Sequence, residues 1–324
     1  MPRARFLLTR LLKALIVIAA IAVANFFLVR MAPGDPAQVL AGQSGAADEK
    51  YLAQLRQQFG LDQPLPTQLG IYLASTARLD LGYSHRQQQP VAQLIAERLP
   101  ATLLLTGCAF LLSLAAGVAL GVWSARKVGS WTDSAITTGA LLFYATPIFW
   151  AGLLLVLVFS VKLDWLPAYG MATIGGTLTG AAAALDVARH AILPVLTLSL
   201  FYMAIYARLT RASMLEVSQM DFVKTARAKG LTEHEVMYRH VLRNALLPVI
   251  TYAGIHAGGL VGGSIVVETI FAWPGVGRLA FEAVSQRDYP VLLGIFLVIS
   301  VLVVIINLLT DVLYAVIDPR IELK

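Results

Sequence analysis

Long apolar stretches alternate with shorter polar segments along most of this chain. Six of the apolar stretches have about the 20 residues that an α-helix needs to cross the hydrocarbon core of a bilayer. They cover residues 11–29, 101–124, 134–161, 191–209, 245–267 and 291–316. The pattern therefore predicts six transmembrane helices.

Prolines mark the starts of four of these predicted helices. A proline in or just before the first helical turn costs nothing, because the N–H that it lacks has no partner there. These prolines are Pro100, Pro194, Pro248 and Pro290. Pro147 falls near the middle of the third stretch instead, where it predicts a kink that frees a backbone carbonyl.

A polar segment, residues 31–98, separates the first two apolar stretches. Three groups of apolar residues recur within it at helical spacing. The groups are Tyr51, Leu52, Leu55 and Phe59; Leu69, Tyr72 and Leu73; and Val91, Leu94 and Ile95. They predict three short amphipathic helices that lie against the membrane surface or against one another. The segment is either a scaffold for the first two spans or a docking surface for a partner.

The polar loop between the fourth and fifth stretches carries several helix-capping signals. Ser218 is a candidate N-cap for a first short helix, with Asp221 three residues later. Gly230 stands where a left-handed residue would end that helix. Thr232 and Glu235 have the spacing of a capping box for a second helix.

The same cap is flanked by Leu231 and Val236, which occupy the two positions of a hydrophobic staple. Two caps and a staple predict a rigid helix–glycine–helix surface that a partner can grip. A plain solvated loop between two spans is the alternative.

Composition supports a membrane protein. The chain is 58% hydrophobic and 14% charged, and its mean hydropathy is +0.72. An average soluble domain is about 25% charged. The predicted fold class is therefore an all-α integral membrane protein.

The basic residues predict its orientation. If both termini lie on one side of the membrane, that side holds most of the 25 Lys and Arg residues. The positive-inside rule places this side in the cytoplasm. The net charge of +6 then reflects membrane topology, and nucleic-acid binding is not expected.

The fifth apolar stretch presents two distinct faces. Gly254, Gly258 and Gly262 lie on one face, and Tyr252, His256, Gly259 and Gly263 lie on another. A stripe of small residues lets helices approach closely. A histidine within a span is costly unless it faces a bundle interior or water. His256 is therefore a candidate pathway residue, with a packing role as the alternative.

The sequence lacks the common catalytic and nucleotide-binding motifs. It has no G-x-x-x-x-G-K-[ST] loop to hold ATP phosphates, and no G-x-S-x-G nucleophile motif. Residues 275–280 fit the dinucleotide-binding pattern only in letters, because no strand-and-helix unit surrounds them. We therefore predict that the chain is not an enzyme on its own.

Several segments resemble one family of transport proteins. Residues 225–230 read TARAKG, residues 243–249 read RNALLPV and residues 271–278 read FAWPGVGR. These segments resemble permease subunits of binding-protein-dependent ABC importers, in the dipeptide, oligopeptide and nickel branch. Of the general loop pattern of that family, EAA-x3-G, only Ala226 and Gly230 are matched. The Leu247-Pro248 pair comes later than in the general pattern, as it does in this branch.

The resemblance implies a type I ABC importer permease with six transmembrane helices and both termini in the cytoplasm. Residues 1–30 would hold the cytoplasmic N-terminus and the first helix, and residues 31–98 an external helical segment. Residues 99–320 would form a five-helix permease core with a cytoplasmic coupling loop at 212–244, followed by a C-terminal tail at 321–324. The expected location is the bacterial inner membrane.

The resemblance also implies partners. They are a second homologous permease, two cytoplasmic ATPase subunits and an external solute-binding protein, within a lipid bilayer and without nucleic acid. No cofactor is expected in this chain, because ATP and Mg²⁺ would bind to the ATPase subunits.

Together with the patterns above, the resemblance gives three sets of candidate site residues, with no catalytic or metal-binding residue among them. The ATPase-coupling residues would be Asp221, Thr225, Ala226, Lys229, Gly230, Leu231, Thr232, Glu235 and Arg239. The translocation pathway would include Pro147, Tyr252, His256, Gly259 and Gly263. An external gate loop would contain Trp273, Pro274 and Gly275.

The branch that this chain resembles includes importers of several kinds of cargo. Small peptides are the first expectation, given the breadth of the branch. Nickel or a metal chelate is the alternative, because an imidazole such as that of His256 is a good nickel ligand. An ion-coupled secondary transporter is the alternative from another class.

Overall fold

The computed structural model describes residues 2–31, 62–175 and 178–317, which are mostly helical. The first part contains α1 (Pro2–Met31), α2 (Leu65–Ala77) and a short antiparallel pair, β1 (Tyr83–Ser84) and β2 (Gln89–Pro90). Then follow α3 (Val91–Arg126), α4 (Trp131–Ala145), α5 (Ile148–Leu155) with a π-helical continuation (Val156–Lys162), and α6 (Gly180–Ser218). The last part contains α7 (Asp221–Ala228), α8 (Glu233–Glu235) with a π-helical continuation (Val236–Leu242), α9 (Arg243–Ala257), α10 (Gly259–Ile270), α11 (Val276–Gln286) and α12 (Tyr289–Ile317). The helix predicted around residues 51–59 lies outside the described residues.

Among the described helices, four are singly long and apolar enough to cross a membrane. They are Thr9–Leu28 within α1, Val91–Arg126, Gly180–Ser218 and Tyr289–Thr310 within α12. Helix α4 and the α5 segment together form a fifth candidate, bent by 107°. The predicted fifth span is interrupted at Gly258, so that α9 has 15 residues and α10 has 12. The count of six spans therefore remains a prediction.

Pro147 breaks its helix, as predicted. Helix α4 ends at Ala145 and α5 begins at Ile148, with Pro147 as the residue that precedes it. The bend of 107° lies at this break. Because proline has no N–H to donate, the helical hydrogen-bond ladder cannot pass through this position.

The prediction that four prolines begin helices was wrong for three of them. Pro100 lies inside α3, Pro194 inside α6 and Pro248 inside α9, whereas Pro290 is in the first turn of α12. Each of these three helices begins before its predicted apolar stretch, at Val91, Gly180 and Arg243 respectively. For the same reason Val91 is the first residue of α3 and does not begin a separate short helix.

The chain divides into two compact units, residues 1–100 with 279–324, and residues 101–278. In the first unit, α1 packs against both α2 and α12. The rings of Phe26 and Tyr72 lie 5.7 Å apart, and the Ser84 hydroxyl donates a hydrogen bond of 2.5 Å to Asp288. The described part of the predicted external segment thus supports the first and last long helices, as a scaffold would.

The second unit has a core centred on large buried side chains. Its main apolar cluster includes the fully buried Leu193, Leu198 and Trp273. Helices α3 and α6 approach each other closely at Gly117 and Gly121. A Cβ on Gly117 would lie 2.6 Å from Cβ of Tyr206, and one on Gly121 would lie 2.5 Å from Cβ of Thr210.

The predicted glycine stripe on the fifth stretch is only partly a packing face. Gly254 and Gly258 are buried, but Gly262 is exposed. An added Cβ at Gly262 would meet no atom within 4 Å. Spacing alone predicts that small residues share a face, but it does not say which face meets another helix.

Candidate functional site

The coupling loop contains two short helical segments around one glycine, as predicted. Gly230 follows α7 with a φ of +81°, a left-handed conformation that glycine adopts without strain. The backbone N–H of Thr232 donates to Oε2 of Glu235 at 3.0 Å, and the N–H of Glu235 donates to the Thr232 hydroxyl at 3.3 Å. These two hydrogen bonds complete the predicted capping box. Hydrogen bonds from the backbone N–H and hydroxyl of Thr232 lower the pKa of Glu235 below its ordinary value.

The predicted N-cap of the first segment was wrong. Ser218 is the last residue of α6, and its hydroxyl donates to the carbonyl of Leu215 at 2.7 Å. Met220 occupies the N-cap position of α7 and forms no side-chain cap. Helix α6 continues beyond its apolar stretch into polar sequence, so the cap signal at Ser218 falls inside the helix.

Buried apolar residues anchor the coupling loop to the rest of the second unit. Val223 and Val236 are fully buried in one cluster with Met214 of α6 and Val122 of α3. Leu231 packs against this cluster, which also contains its predicted staple partner, Val236. The loop is therefore fixed to the ends of two long helices and is not a free solvated segment.

The two segments of the loop are also joined by polar contacts. The Arg227 guanidinium contacts Glu233 at 2.7 Å, which connects α7 to α8. The Arg126 guanidinium, at the end of α3, donates to the Tyr238 hydroxyl at 3.2 Å. With the buried cluster, these contacts make the loop a rigid extension of α3 and α6.

The nine predicted coupling residues divide into an exposed set and an anchoring pair. The exposed set is Asp221, Thr225, Lys229, Gly230, Thr232, Glu235 and Arg239. Ala226 is buried and Leu231 is half-buried, so these two hold the loop in place. The exposed residues are the ones that a docked partner can reach.

A group of aromatic side chains connects α4, α6 and α9; we call it the aromatic cluster. The His256 ring stacks on Tyr252 with centroids 4.1 Å apart, and Tyr252 meets the buried Tyr206 edge-on at 6.0 Å. On the other side, Tyr144 stacks on Phe201 at 5.3 Å. The cluster consists of Tyr144, Phe201, Tyr202, Tyr206, Tyr252 and His256.

The predicted pathway residues lie in or near this cluster to different degrees. Tyr252 and His256 belong to it and are half-buried. Pro147 is exposed and lies three residues after Tyr144, at the bend between α4 and α5. Gly259 is exposed in the first turn of α10, and Gly263 lies one turn further along that helix. The structure brings the aromatic residues together, whereas the pathway role of all five remains a prediction.

The predicted gate loop surrounds a buried carboxylate that sequence reasoning missed. Glu268, near the end of α10, is 0% exposed. Its Oε1 accepts hydrogen bonds from the hydroxyls of Thr102 and Ser264, at 2.8 and 3.0 Å, and its Oε2 accepts one from the Arg278 backbone N–H at 2.9 Å. We call residues 268–278 the Glu268 turn.

Two glycines make room for this carboxylate. A Cβ on Gly275 would lie 2.3 Å from Oε2 of Glu268, and one on Gly277 would lie 2.9 Å from the same atom. Trp273 is fully buried, and its indole N–H donates to the carbonyl of Ala101 at 2.8 Å. Trp273 and Gly275 are therefore internal parts of a fixed turn, and Pro274 is half-buried beside them.

Comparison with known proteins decides the family. Residues 117–323 match the family described as "Binding-protein-dependent transport system inner membrane component". Residues 3–106 match the family described as "Binding-prot-dependent transport system membrane comp, N-term". The chain belongs to this family of transport permeases.

Relatives of this permease agree along its whole length. A Brucella abortus protein that is provisionally named a peptide transport system permease is 42% identical over 98% of both chains. The dipeptide transport system permease protein DppB of Alkalihalophilus pseudofirmus is 39% identical over 98% of this chain and 99% of its own.

A solved structure shares the fold of the permease. A chain of the MetNI methionine ABC transporter, in an inward-facing conformation, is 18% identical and superposes with a TM-score of 0.55. The match covers 70% of the permease and 97% of that chain. The predicted type I importer fold is therefore confirmed, and the permease is a multi-pass protein of the bacterial inner membrane.

Proposed function

We propose that this permease lines the membrane pathway of an ATP-driven importer of small peptides. The observation that carries the proposal is the 42% identity, over 98% of both chains, to a relative named for peptide transport. The name of the more distant dipeptide permease points to the same cargo class. A second, homologous permease completes the pathway.

Energy comes from two partner ATPases, because the sequence has no loop to hold ATP phosphates. ATP and Mg²⁺ bind to those subunits. Each ATPase holds one coupling loop through its exposed residues, which include Lys229, Thr232 and Arg239. Closure of the ATPases on ATP moves the coupling loops as rigid bodies and shifts the spans from an inward-open to an outward-open state.

An external solute-binding protein delivers the peptide to the outward-open state. Like any ligand, the loaded binding protein shifts the equilibrium only if it binds the two states with different affinity. The Glu268 turn serves as the rigid part of the external gate, because its carboxylate contacts hold the turn on α3 and α10.

The aromatic cluster forms the wall of the pathway in this permease. Its members range from the exposed Tyr144 through the half-buried Tyr252 to the buried Tyr206. Aromatic faces contact apolar side chains of any shape without demanding one hydrogen-bond pattern, which suits a carrier of varied peptides.

Nickel is the less favoured cargo. The one feature that pointed to it, the imidazole of His256, stacks on Tyr252 at 4.1 Å. Among the described residues, no group of three or more His, Cys, Asp or Glu residues could hold a metal ion. The two relatives described above are named for peptide and dipeptide transport.

Copurification followed by transport tests the proposal. The tagged permease is isolated in mild detergent from its native host, and its partners are identified by mass spectrometry. We expect two P-loop ATPases and a second permease, and we expect the complex in proteoliposomes to import dipeptides only with ATP and the loaded binding protein. Peptide uptake by the permease alone, unaffected by ATP, would instead establish a secondary transporter.

A further inference from the structure

One carboxylate joins three elements of the second unit. Asp133 forms a bidentate ion pair with Arg211, from Nε at 2.7 Å to Oδ1 and from Nη2 at 2.9 Å to Oδ2. The Ser124 hydroxyl also donates to Oδ1, and the backbone N–H of Gly129 donates to Oδ2 at 3.0 Å. The Asp133 side chain is 7% exposed. It thus ties the end of α3 and the turn that follows it to both α4 and α6.

The two helices joined by this ion pair adjoin different functional regions: α6 adjoins the coupling loop, and α4 adjoins the aromatic cluster. Arg211 lies in the last two turns of α6, and α7 of the coupling loop begins at Asp221, directly after that helix. Asp133 lies in the first turn of α4. The last turn of α4 carries Tyr144 of the aromatic cluster and ends at the Pro147 bend.

Beyond the ion pair, the contact between α4 and α6 includes many small side chains and a cavity. This cavity is apolar, has a volume of about 130 Å³ and is lined by residues of the two helices and of α3. Its lining includes small residues on both helices, among them Gly139 and Ala140 of α4 and Ala204 and Ala207 of α6. Small side chains that line a cavity make fewer interlocking contacts than large ones, so they define the register between the two helices less strictly. A bidentate pair fixes both distance and orientation.

We propose that the Asp133–Arg211 ion pair is the positioning contact that transmits movement of the coupling loop from α6 to α4. The cost of removing the two charges from water offsets much of the attraction within a largely buried ion pair, so the presence of the pair is weak evidence for a role in stability. The bidentate geometry instead makes α4 follow α6. When α6 moves with the coupling loop, α4 and the bend at Pro147 move with it. The inference rests on the proposed function, since it needs ATPases that move the loop.

The test uses the complete reconstituted complex. Wild type, Asp133→Asn and Arg211→Lys are compared in proteoliposomes, with ATP hydrolysis and dipeptide uptake measured in the same vesicles. Asp133→Asn keeps the shape but removes the charge, whereas Arg211→Lys keeps the charge but removes the bidentate fork. We expect both variants to assemble and to hydrolyse ATP, while the peptide imported per ATP falls roughly fivefold or more.

The same helix offers a matched control. Asp186, near the start of α6, accepts hydrogen bonds from the backbone N–H and hydroxyl of Thr173, at 2.7 and 2.8 Å. It is remote in sequence from the coupling loop, so Asp186→Asn makes the same chemical change without touching the proposed link. We expect its ratio of uptake to ATP hydrolysis to equal that of wild type.

Each outcome decides one question. The proposal is overturned if Arg211→Lys has the wild-type ratio of peptide uptake to ATP hydrolysis. It is also overturned if the variants import less peptide only because fewer complexes assemble. If Asp133→Asn fails to fold, the ratio measured for Arg211→Lys still decides. Failure of the wild-type complex to import peptides with ATP contradicts the proposed function instead, and it is seen before any variant is compared.

Discussion

The hydroxyl of Thr102 donates a hydrogen bond of 2.8 Å to Oε1 of Glu268, 166 residues further along the chain. The same hydroxyl accepts one of 2.8 Å from the backbone N–H of Val276. Thr102 therefore joins α3 both to the buried carboxylate and to the turn that encloses it. The position of the predicted gate loop is set by this network and not by the turn's own sequence.

Replacement of Glu268 by glutamine is expected to destabilise the permease. One oxygen would become an NH₂ group that faces either the hydroxyls of Thr102 and Ser264 or the N–H of Arg278, all of which donate to the carboxylate. Leaving such buried donors without acceptors costs on the order of 3 kcal/mol. Thermal unfolding of the detergent-solubilised chain measures the loss, with the exposed Glu216→Gln as the neutral control. Equal midpoints for the two variants would contradict the role of the carboxylate.

Replacement of Gly275 by alanine should disturb the same turn by a steric route. The new methyl group would lie 2.3 Å from the Glu268 carboxylate, which hydrogen bonds from Thr102, Ser264 and Arg278 hold in place. We expect a loss of about 1–3 kcal/mol, the usual cost of overpacking. Gly139→Ala on α4 is the control, because a Cβ there would meet no atom within 4 Å. That control should unfold at or slightly above the wild-type temperature.

The sequence predicted local features of the site better than distant ones. Thr232 and Glu235 are three residues apart, so their capping box follows from spacing alone. Thr102 and Glu268 are brought together only by the packing of α3 on α10, which no local pattern encodes. A signal was present nonetheless: Glu268 is the lone charge in the apolar run from 245 to 277, and a buried carboxylate needs donors nearby.

The predicted helix boundaries were wrong for a related reason. An apolar stretch marks the part of a helix that lies in the hydrocarbon core. The helix itself extends as far as its backbone hydrogen bonds do, which can be several turns further. Pro194 and Ser218 both lie inside α6, although each was expected at a helix start. The interruption at Gly258 was not predicted either. The apolar stretch continues through it, and Gly258 has ordinary right-handed helical torsions, which require no special residue type.

Acid should loosen the coupling loop through Glu235. Its folded-state pKa is lowered by hydrogen bonds from Thr232, so the ionised carboxylate stabilises the capping box. This contribution is present above the ordinary glutamate pKa of about 4.3 and is lost as pH falls through the lowered value. Amide hydrogen exchange in residues 232–236, corrected for intrinsic rates, should show stronger protection in wild type than in Glu235→Ala at neutral pH. That difference should shrink below about pH 4; a constant difference would rule out the carboxylate as its source.

Gly230→Val should uncouple transport without preventing insertion. The φ of +81° is strained for a β-branched residue, at a cost of about 1–3 kcal/mol, although the space around the Cβ is open. The strain would change the angle between α7 and α8, the two segments that form the proposed contact surface for the ATPase. We expect normal membrane levels with uptake lost, and recovery in Gly230→Asn, because asparagine tolerates the left-handed conformation. Full uptake by the valine variant would show that the loop geometry is not needed.

Tyr252→Ala tests whether the aromatic cluster contacts cargo. Tyr252 lies between the buried Tyr206 at 6.0 Å and the stacked His256 at 4.1 Å, so its removal opens the middle of the cluster. If the cluster lines the pathway, uptake of dipeptides with large apolar side chains should fall by about fivefold relative to Gly-Gly, since loss of one aromatic contact is worth roughly 1 kcal/mol. Tyr252→Phe retains the ring and should behave as wild type for both peptides. If the cluster is purely structural, Tyr252→Ala should lower uptake of the two peptides by the same factor, because fewer folded complexes would reach the membrane. This result would show that Tyr252 does not line the pathway.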